Sequence, residues 1–367
     1  MMPADSNPAD FDPRKGARNL LCNCLNVKSG DTVSIITEDT ALGFYDAFAP
    51  QCISEVAREL GCRPRKIPCP LIDGPHDIPE TVKSAIAESE HVIFQARAGG
   101  QIRFASLSGK ATKTISYAID IGFLGSRYCT IHQGLMEAIR VSFEADLDST
   151  KTWRITCPLG TDVSGTQEIR ENPSEPVEDF TLGLFPIPIF RPVLCNTMTG
   201  RVVVSRFLMS TANRHYDDSY LILEEPVTVF IEAGRIVDLE GASKTVTKFR
   251  EHYRRVSSLF KIDGDVVHSW HTGIHPAAFY PLPASVDIDR WGMIAFANPR
   301  YTHFHTCGNY APGEIAWAVF DTTIYLDNQE YWKDGRFVFL DRPEISGLLP
   351  QFGYDETVFR QRKDIGI

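Results

Sequence analysis

The chain has 367 residues, 43% of them hydrophobic and 23% charged, which is the composition of a folded globular protein long enough for two domains. Its formal net charge of -10 argues against a nucleic-acid backbone or an anionic membrane as partner, since both need excess Lys and Arg. The polar start, Met1 to Asn19, carries no apolar signal-type core, and the nine scattered cysteines read as reduced thiols, so the expected compartment is the cytoplasm.

The first half alternates helix and strand signals. Arg14 to Leu25 has helical spacing, and Thr32 to Thr37 (TVSIIT) reads as a buried parallel strand. A helix over Pro50 to Leu60 follows, then a strand over Pro64 to Cys69, a helix from Ile78 to Glu90 and a strand over His91 to Gln95. Lys113 to Tyr117 and Arg127 to Ile131 read as further strands or connectors. This alternation predicts βαβ units and a parallel sheet. Neither a G-x-G-x-x-G turn nor a P-loop is present.

Beyond Thr152 the helical signal thins. Thr152 to Cys157, Gly200 to Phe207, Pro226 to Glu232 and Arg235 to Leu239 read as strands, the last two joined by a turn at Ala233-Gly234. Lys244 to Val256 reads as a helix, and Val266 to Trp270, Trp291 to Ala297 and Thr322 to Leu326 as strands. The Pro-rich stretch Pro173 to Pro192 reads as a linker or surface loop. The predicted fold class is α/β: a parallel α/β domain over residues 1–150, joined to a strand-rich α+β domain over 151–367 that carries the chemistry.

Five of the ten histidines fall between His268 and His305, in the clusters His268-Ser-Trp-His271-Thr-Gly-Ile-His275 and His303-Phe-His305. Glu314 and Asp321 follow. Imidazole with carboxylate is a ligand set for zinc or non-haem iron. On a strand, His303 and His305 share one face. A single such histidine is more often a packed or hydrogen-bonded residue, but five in so short a span point to a site. Asp162 and Ser164, in Gly-Thr-Asp162-Val-Ser164, fit a cleft-lining strand end or a plain turn equally well.

These residues resemble the thermophilic metalloprotease-like superfamily, which holds metallo-aminopeptidases and 2,5-dihydroxypyridine dioxygenases; the dioxygenase branch is the nearer. The resemblance rests on Leu25-Asn-Val-Lys-Ser-Gly-Asp-Thr-Val33, Arg154-Ile-Thr-Cys-Pro-Leu-Gly-Thr-Asp162, the hairpin Val227 to Ile236, Ser269-Trp-His271-Thr-Gly, and Ile324-Tyr-Leu-Asp327 with Asp334-Gly335. It implies that His271 is a metal ligand. The family's His-x-Asp ligand pair falls on Glu314 and Ala316, or on Val319 and Asp321, and its proton-shuttle histidine falls on Ser164.

The expected function is a mononuclear Fe(II) dioxygenase-like enzyme acting on a small aromatic or heteroaromatic molecule. His271, His305 and Glu314 would hold the metal, with Asp321 the alternative carboxylate. His275 or His303 would shuttle protons. Trp270, Phe304 and Trp317 would stack on the substrate ring, with Ser164 beside it. The alternatives are a zinc- or manganese-dependent amide hydrolase, with Glu314 as general base, and a metal-free relative that binds a partner or peptide product. A homodimer is the expected assembly.

Overall fold

The β-branched run Val33-Ser-Ile-Ile36 is buried along its length, as a strand covered on both faces requires. In the computed structural model it lies in a parallel sheet with the spatial order Arg63–Pro68, Thr32–Thr37, His91–Gln95, Thr112–Ser116, Gly183–Phe185. The structure describes residues 11–103, 105, 109–167, 182–210, 216–309 and 313–367. Helices Phe48–Glu59 and Glu80–Glu88 make the crossovers between the first three strands in chain order. The mixed α/β class is therefore as expected.

Two antiparallel sheets make up the rest. A six-stranded sheet runs Leu221–Ile222, Phe207–Met209, Glu314–Phe320, Tyr301–Cys307, Val267–Thr272, Val193–Leu194. An eight-stranded sheet runs Arg235–Gly241, Val227–Glu232, Thr199–Val204, Asp162–Thr166, Thr152–Thr156, Thr323–Leu326, Gln329–Lys333, Arg336–Phe337. The expected hairpin is present. Ala233 and Gly234 both have positive φ, 47° and 73°, as a two-residue turn matched to strand twist requires. A Cβ on Gly234 would lie 2.5 Å from the Cys195 carbonyl oxygen, so this position needs glycine.

The core forms two apolar clusters. One surrounds the parallel sheet and takes in Trp291, Ile294, Tyr301 and Ala318 from the C-terminal half. The other lies between the two antiparallel sheets, where Trp153 meets Trp270 at 5.8 Å between ring centroids. Phe143 is a hub of this second cluster. Its ring meets Phe190, Tyr331, Trp332, Phe337 and Phe339 at 4.9–5.8 Å.

Several elements depart from expectation. Trp291 to Ala297 is not a strand but lies largely in the helix Ile288–Ala295, started by Asp287, whose carboxylate accepts from the Arg290 N–H at 3.0 Å. A short apolar run cannot be assigned by periodicity alone, and here the cap decides. Arg127 to Ile131 is a helical turn, Arg127–Thr130. Helix Gln133–Ser149 has no counterpart among the expected elements, although Leu135, Met136, Ile139, Phe143 and Leu147 carry its spacing. Of the expected linker, residues 173–181 lie outside the described residues. Residues 182–192 are no surface loop: Phe185 to Pro188 and Phe190 are buried, and the segment runs from the parallel sheet to the edge strand Val193–Leu194. Its run Phe-Pro-Ile-Pro-Ile-Phe is too apolar to leave in water.

Among the described residues no helix is long and apolar enough to cross a membrane.

Two buried histidines serve packing. His252, on helix Ser243–Phe260, has its imidazole pushed down to about 4 by burial and then by Arg255. His275 is fully buried, lies edge-on to Tyr128 at 5.0 Å, and accepts the Ala277 N–H on Nδ1 at 3.2 Å. Burial, then Arg127, pushes it down to about 3. His275 was an expected proton shuttle; instead it lies outside the histidine cavity described below, because Gly273 and Ile274 carry the chain out of the sheet before it is reached.

Two outcomes follow from this packing. Phe143→Ala should cost about 3–5 kcal/mol in urea unfolding, the usual loss for a core aromatic; a change under about 1 kcal/mol would contradict the hub role. Because the folded values of His252 and His275 lie below the unfolded value of about 6.5, the unfolded chain binds more protons between them. Each therefore removes stability as pH falls below 6.5, at about 1.4 kcal/mol per pH unit. Unfolding at pH 7 and pH 5 should show a smaller loss in the His252→Gln/His275→Gln double variant than in the wild type. Equal losses would contradict the assignment.

Candidate functional site

Side chains alternate along a strand, and Tyr301–Cys307 is paired on both sides in register. His271 lies directly opposite His303, Ser269 opposite His305, Ala318 opposite His303, Ala316 opposite His305 and Glu314 opposite Cys307. His271, His303, His305 and Glu314 thus share one face of the six-stranded sheet. The two alanines leave room for the rings across from them.

The three imidazoles form a cluster with centroids 4.8 Å (His303–His305), 5.2 Å (His271–His305) and 5.3 Å (His271–His303) apart. Glu314, 1% exposed, sets its Oε1 3.0 Å from His305 Nδ1. Nε2 of His305 is buried with no hydrogen-bond partner, and so is Nδ1 of His303. Burial, then His305, holds His271 and His303 well below the usual imidazole range, so both are neutral near pH 7.

All three rings line a cavity of about 120 Å³. Its opposite wall is the carboxyl end of the parallel sheet: Gly100 and Arg103 follow strand His91–Gln95, and Tyr117 follows strand Thr112–Ser116. This is the end of a parallel sheet at which ligands characteristically bind. One side is the helix stripe Asp289, Gly292, Met293 and Phe296, and another is Ile187 to Ile189 from the buried Pro-rich segment. Met209 and Ser210 complete the lining there.

The expected site residues divide accordingly. His271, His303, His305 and Glu314 come together. Trp270, Phe304 and Trp317 do not join them: they are fully buried on the opposite face, between the antiparallel sheets, where they cannot meet a ligand in the cavity. Period-two alternation places them there, one residue out of phase with the histidines. Ser164 is exposed on strand Asp162–Thr166 of the eight-stranded sheet and does not line the cavity. Asp162 beside it is held by Arg154 through two contacts of 2.9 Å. Asp321, the alternative carboxylate, is engaged by Arg300 at 2.6 and 2.8 Å beyond the end of its strand. Arg103, Tyr117, Tyr301 and Phe296 line the cavity without having been expected. Their only sequence signal is Tyr301, which alternates in phase with His303 and His305.

The expected ligand set does not fit a metal as placed. Glu314 faces Nδ1 of His305, which makes it the partner that orients an imidazole. The rings of His271 and His303 are parallel to within 6°. Nitrogen lone pairs lie in the ring plane, so these two stacked rings keep theirs in separate, nearly parallel planes that do not meet at one ion. Among the described residues no three His, Cys, Asp or Glu side chains are placed to hold an ion.

What the arrangement offers is a carboxylate-backed imidazole. A carboxylate on Nδ1 fixes the tautomer with its proton there and leaves Nε2 as a base. It does so inside a cavity that is mostly apolar.

No protein-family description and no curated protein matches the chain. Solved structures that share its fold include these two. One is the 2,5-dihydroxypyridine dioxygenase of Pseudomonas putida KT2440, at 14% identity and TM-score 0.59, covering 91% of this chain and 98% of that one. The other is AmpT of Thermus thermophilus, at 12% identity and TM-score 0.50, covering 89% and 98%. The chain has the fold of these two proteins along nearly their whole length.

Proposed function

We propose that the chain is an enzyme acting on a small, largely apolar aromatic or heteroaromatic molecule, with His305 as general base and Glu314 as the group that orients it. The observation that carries this is the 3.0 Å contact between His305 Nδ1 and Glu314, with Nε2 left unpartnered in the cavity. His305 would take a proton from the substrate or from a water beside it, and the negative Glu314 would stabilise the imidazolium formed. The neutral rings of His271 and His303 would hydrogen-bond the substrate and fix its orientation. The apolar walls of Met293, Phe296 and Ile189 keep bulk water out and strengthen each of these contacts.

A second reading is supported by the likeness to a dioxygenase and by the same carboxylate–imidazole pair, which also backs histidines that bind metals. In it the imidazole cluster takes up Fe(II), or Zn or Mn in a hydrolase, after the rings turn to converge.

One assay separates the two. Purified protein is offered hydroxypyridines, catechols and short amides, with a chelator or with Fe(II), Zn(II) or Mn(II), with and without oxygen. The acid–base reading expects turnover that survives the chelator and anaerobic conditions. Turnover that requires Fe(II) and consumes oxygen establishes the dioxygenase instead; turnover that requires Zn(II) or Mn(II) establishes the hydrolase.

Under whichever condition supports turnover, Glu314→Gln and His305→Ala should each lower kcat by about 10²–10⁴ with little change in the unfolding midpoint. Full activity of either variant would remove His305 from the reaction.

A further inference from the structure

The imidazole and its carboxylate do not account for the shape of the space beside them. Strand Phe207–Met209 pairs with Glu314–Phe320 so that Met209 lies directly opposite Ala316. Ala316 in turn lies directly opposite His305 on the next strand. Directly opposite residues share a face, so Met209, Ala316 and His305 form one row on the cavity side of the sheet, and all three line the cavity. Two cross-strand steps put the Cβ atoms of Met209 and His305 about 10 Å apart, with only the Ala316 methyl group between them. The row is a slot with an imidazole on one side, a methionine on the other and a methyl group as its floor.

The roof is helix Ile288–Ala295, held against the same strand by Trp291, whose ring meets Phe207 at 5.0 Å. The next residue, Gly292, sits in the helix interior, where glycine is less stable than alanine. A close approach explains it. A Cβ on Gly292 would overlap the terminal methyl of Met209 and lie 3.8 Å from its sulfur. The long, unbranched Met209 side chain therefore spans the gap from sheet to helix and ends in the notch that the glycine leaves. Seated there, it walls off the slot on the side away from His305 and stays out of the space over Ala316.

We propose that Met209, seated on Gly292, sets the size of the molecule this cavity accepts and restricts it to a single ring lying over Ala316, between His305 and Met209. This rests on the small-molecule reading of the cavity but not on His305 acting as a base. The cavity volume of about 120 Å³ is near the about 150 Å³ of an apolar cavity that takes up benzene. A fused second ring needs the space that Met209 fills, and a packed wall yields only by straining its side chains.

The test is calorimetric titration of the full chain with phenol and with 2-naphthol, which carry the same hydroxyl and differ by one fused ring. On apolar area alone 2-naphthol would bind more tightly. The wild type should instead bind phenol about tenfold or more tightly than 2-naphthol. Met209→Ala should reverse that order. Gly292→Ala should push the Met209 methyl into the slot and weaken phenol binding about tenfold. The Gly292→Ala/Met209→Ala double variant, with no methyl to displace, should recover it, which a general loosening of the fold would not do. Glu314→Gln, which removes the carboxylate at nearly constant volume, should keep the wild-type order, so that failure of the base reading leaves this one standing. Binding of 2-naphthol as tightly as phenol in the wild type would overturn the proposal, without dependence on any variant's folding. An unchanged order in folded Met209→Ala would also overturn it. Binding of neither probe up to about 5 mM, the weak end of the affinity scale, would overturn the small-molecule reading and the size limit with it.

Discussion

The alternation of side chains along the strand Tyr301–Cys307 governs both the site and the core. Tyr301, His303 and His305 face the cavity while Phe304 between them faces the second core, and the strands on either side keep the same phase. A slip of one residue would carry the imidazoles between the antiparallel sheets and Phe304 into the cavity. The register is held by buried polar groups that have few other partners. Thr306 Oγ1 donates to the Ile315 carbonyl at 2.7 Å, and Trp317 Nε1 donates to the Tyr253 hydroxyl at 2.6 Å. The hydroxyls of Thr302 and Thr322 meet at 2.7 Å. Each of these would be stranded in an apolar layer if the strand moved.

That constraint shapes the electrostatics. Three imidazoles in one small cavity avoid mutual repulsion only if most are neutral, and burial keeps His271 and His303 so. Glu314 then falls to the third ring. The carboxylate that composition alone suggests as a metal ligand is thus drawn into a pair with an imidazole, which changes its chemical role from donor to ion into partner of a base.

Much of the fold is legible in the sequence for a simple reason. Runs such as Thr32–Thr37 and His91–Gln95 are short, β-branched or apolar, and separated by amphipathic helices, so the period changes in plain view. The histidine cluster is legible as well, since His303 and His305 share a face on any strand. The aromatic wall is not: Trp270, Phe304 and Trp317 are neighbours of the site in sequence, but adjacency on a strand means opposite faces. The helix Ile288–Ala295 hides in a run that suits either structure until its Asp287 cap is counted. Arg103 is invisible in the chain because nothing local distinguishes it. It reaches the cavity because the carboxyl end of the parallel sheet is brought against strands some 170–200 positions away.

The segment Ile187 to Ile189 was described as one wall of the cavity. The same three residues also line an outer groove shared with Asn23, Cys24, Glu137 and Arg140. The partition between the largely apolar cavity and the charged outer groove is therefore a single thickness of chain, sealed by two isoleucines and a proline. Insulation of the imidazoles from solvent depends on the bulk of those side chains and not on the depth of the fold. Trimming either isoleucine to alanine would turn a cavity with one mouth into a passage with two, leaving the histidines in place while giving water a second way in.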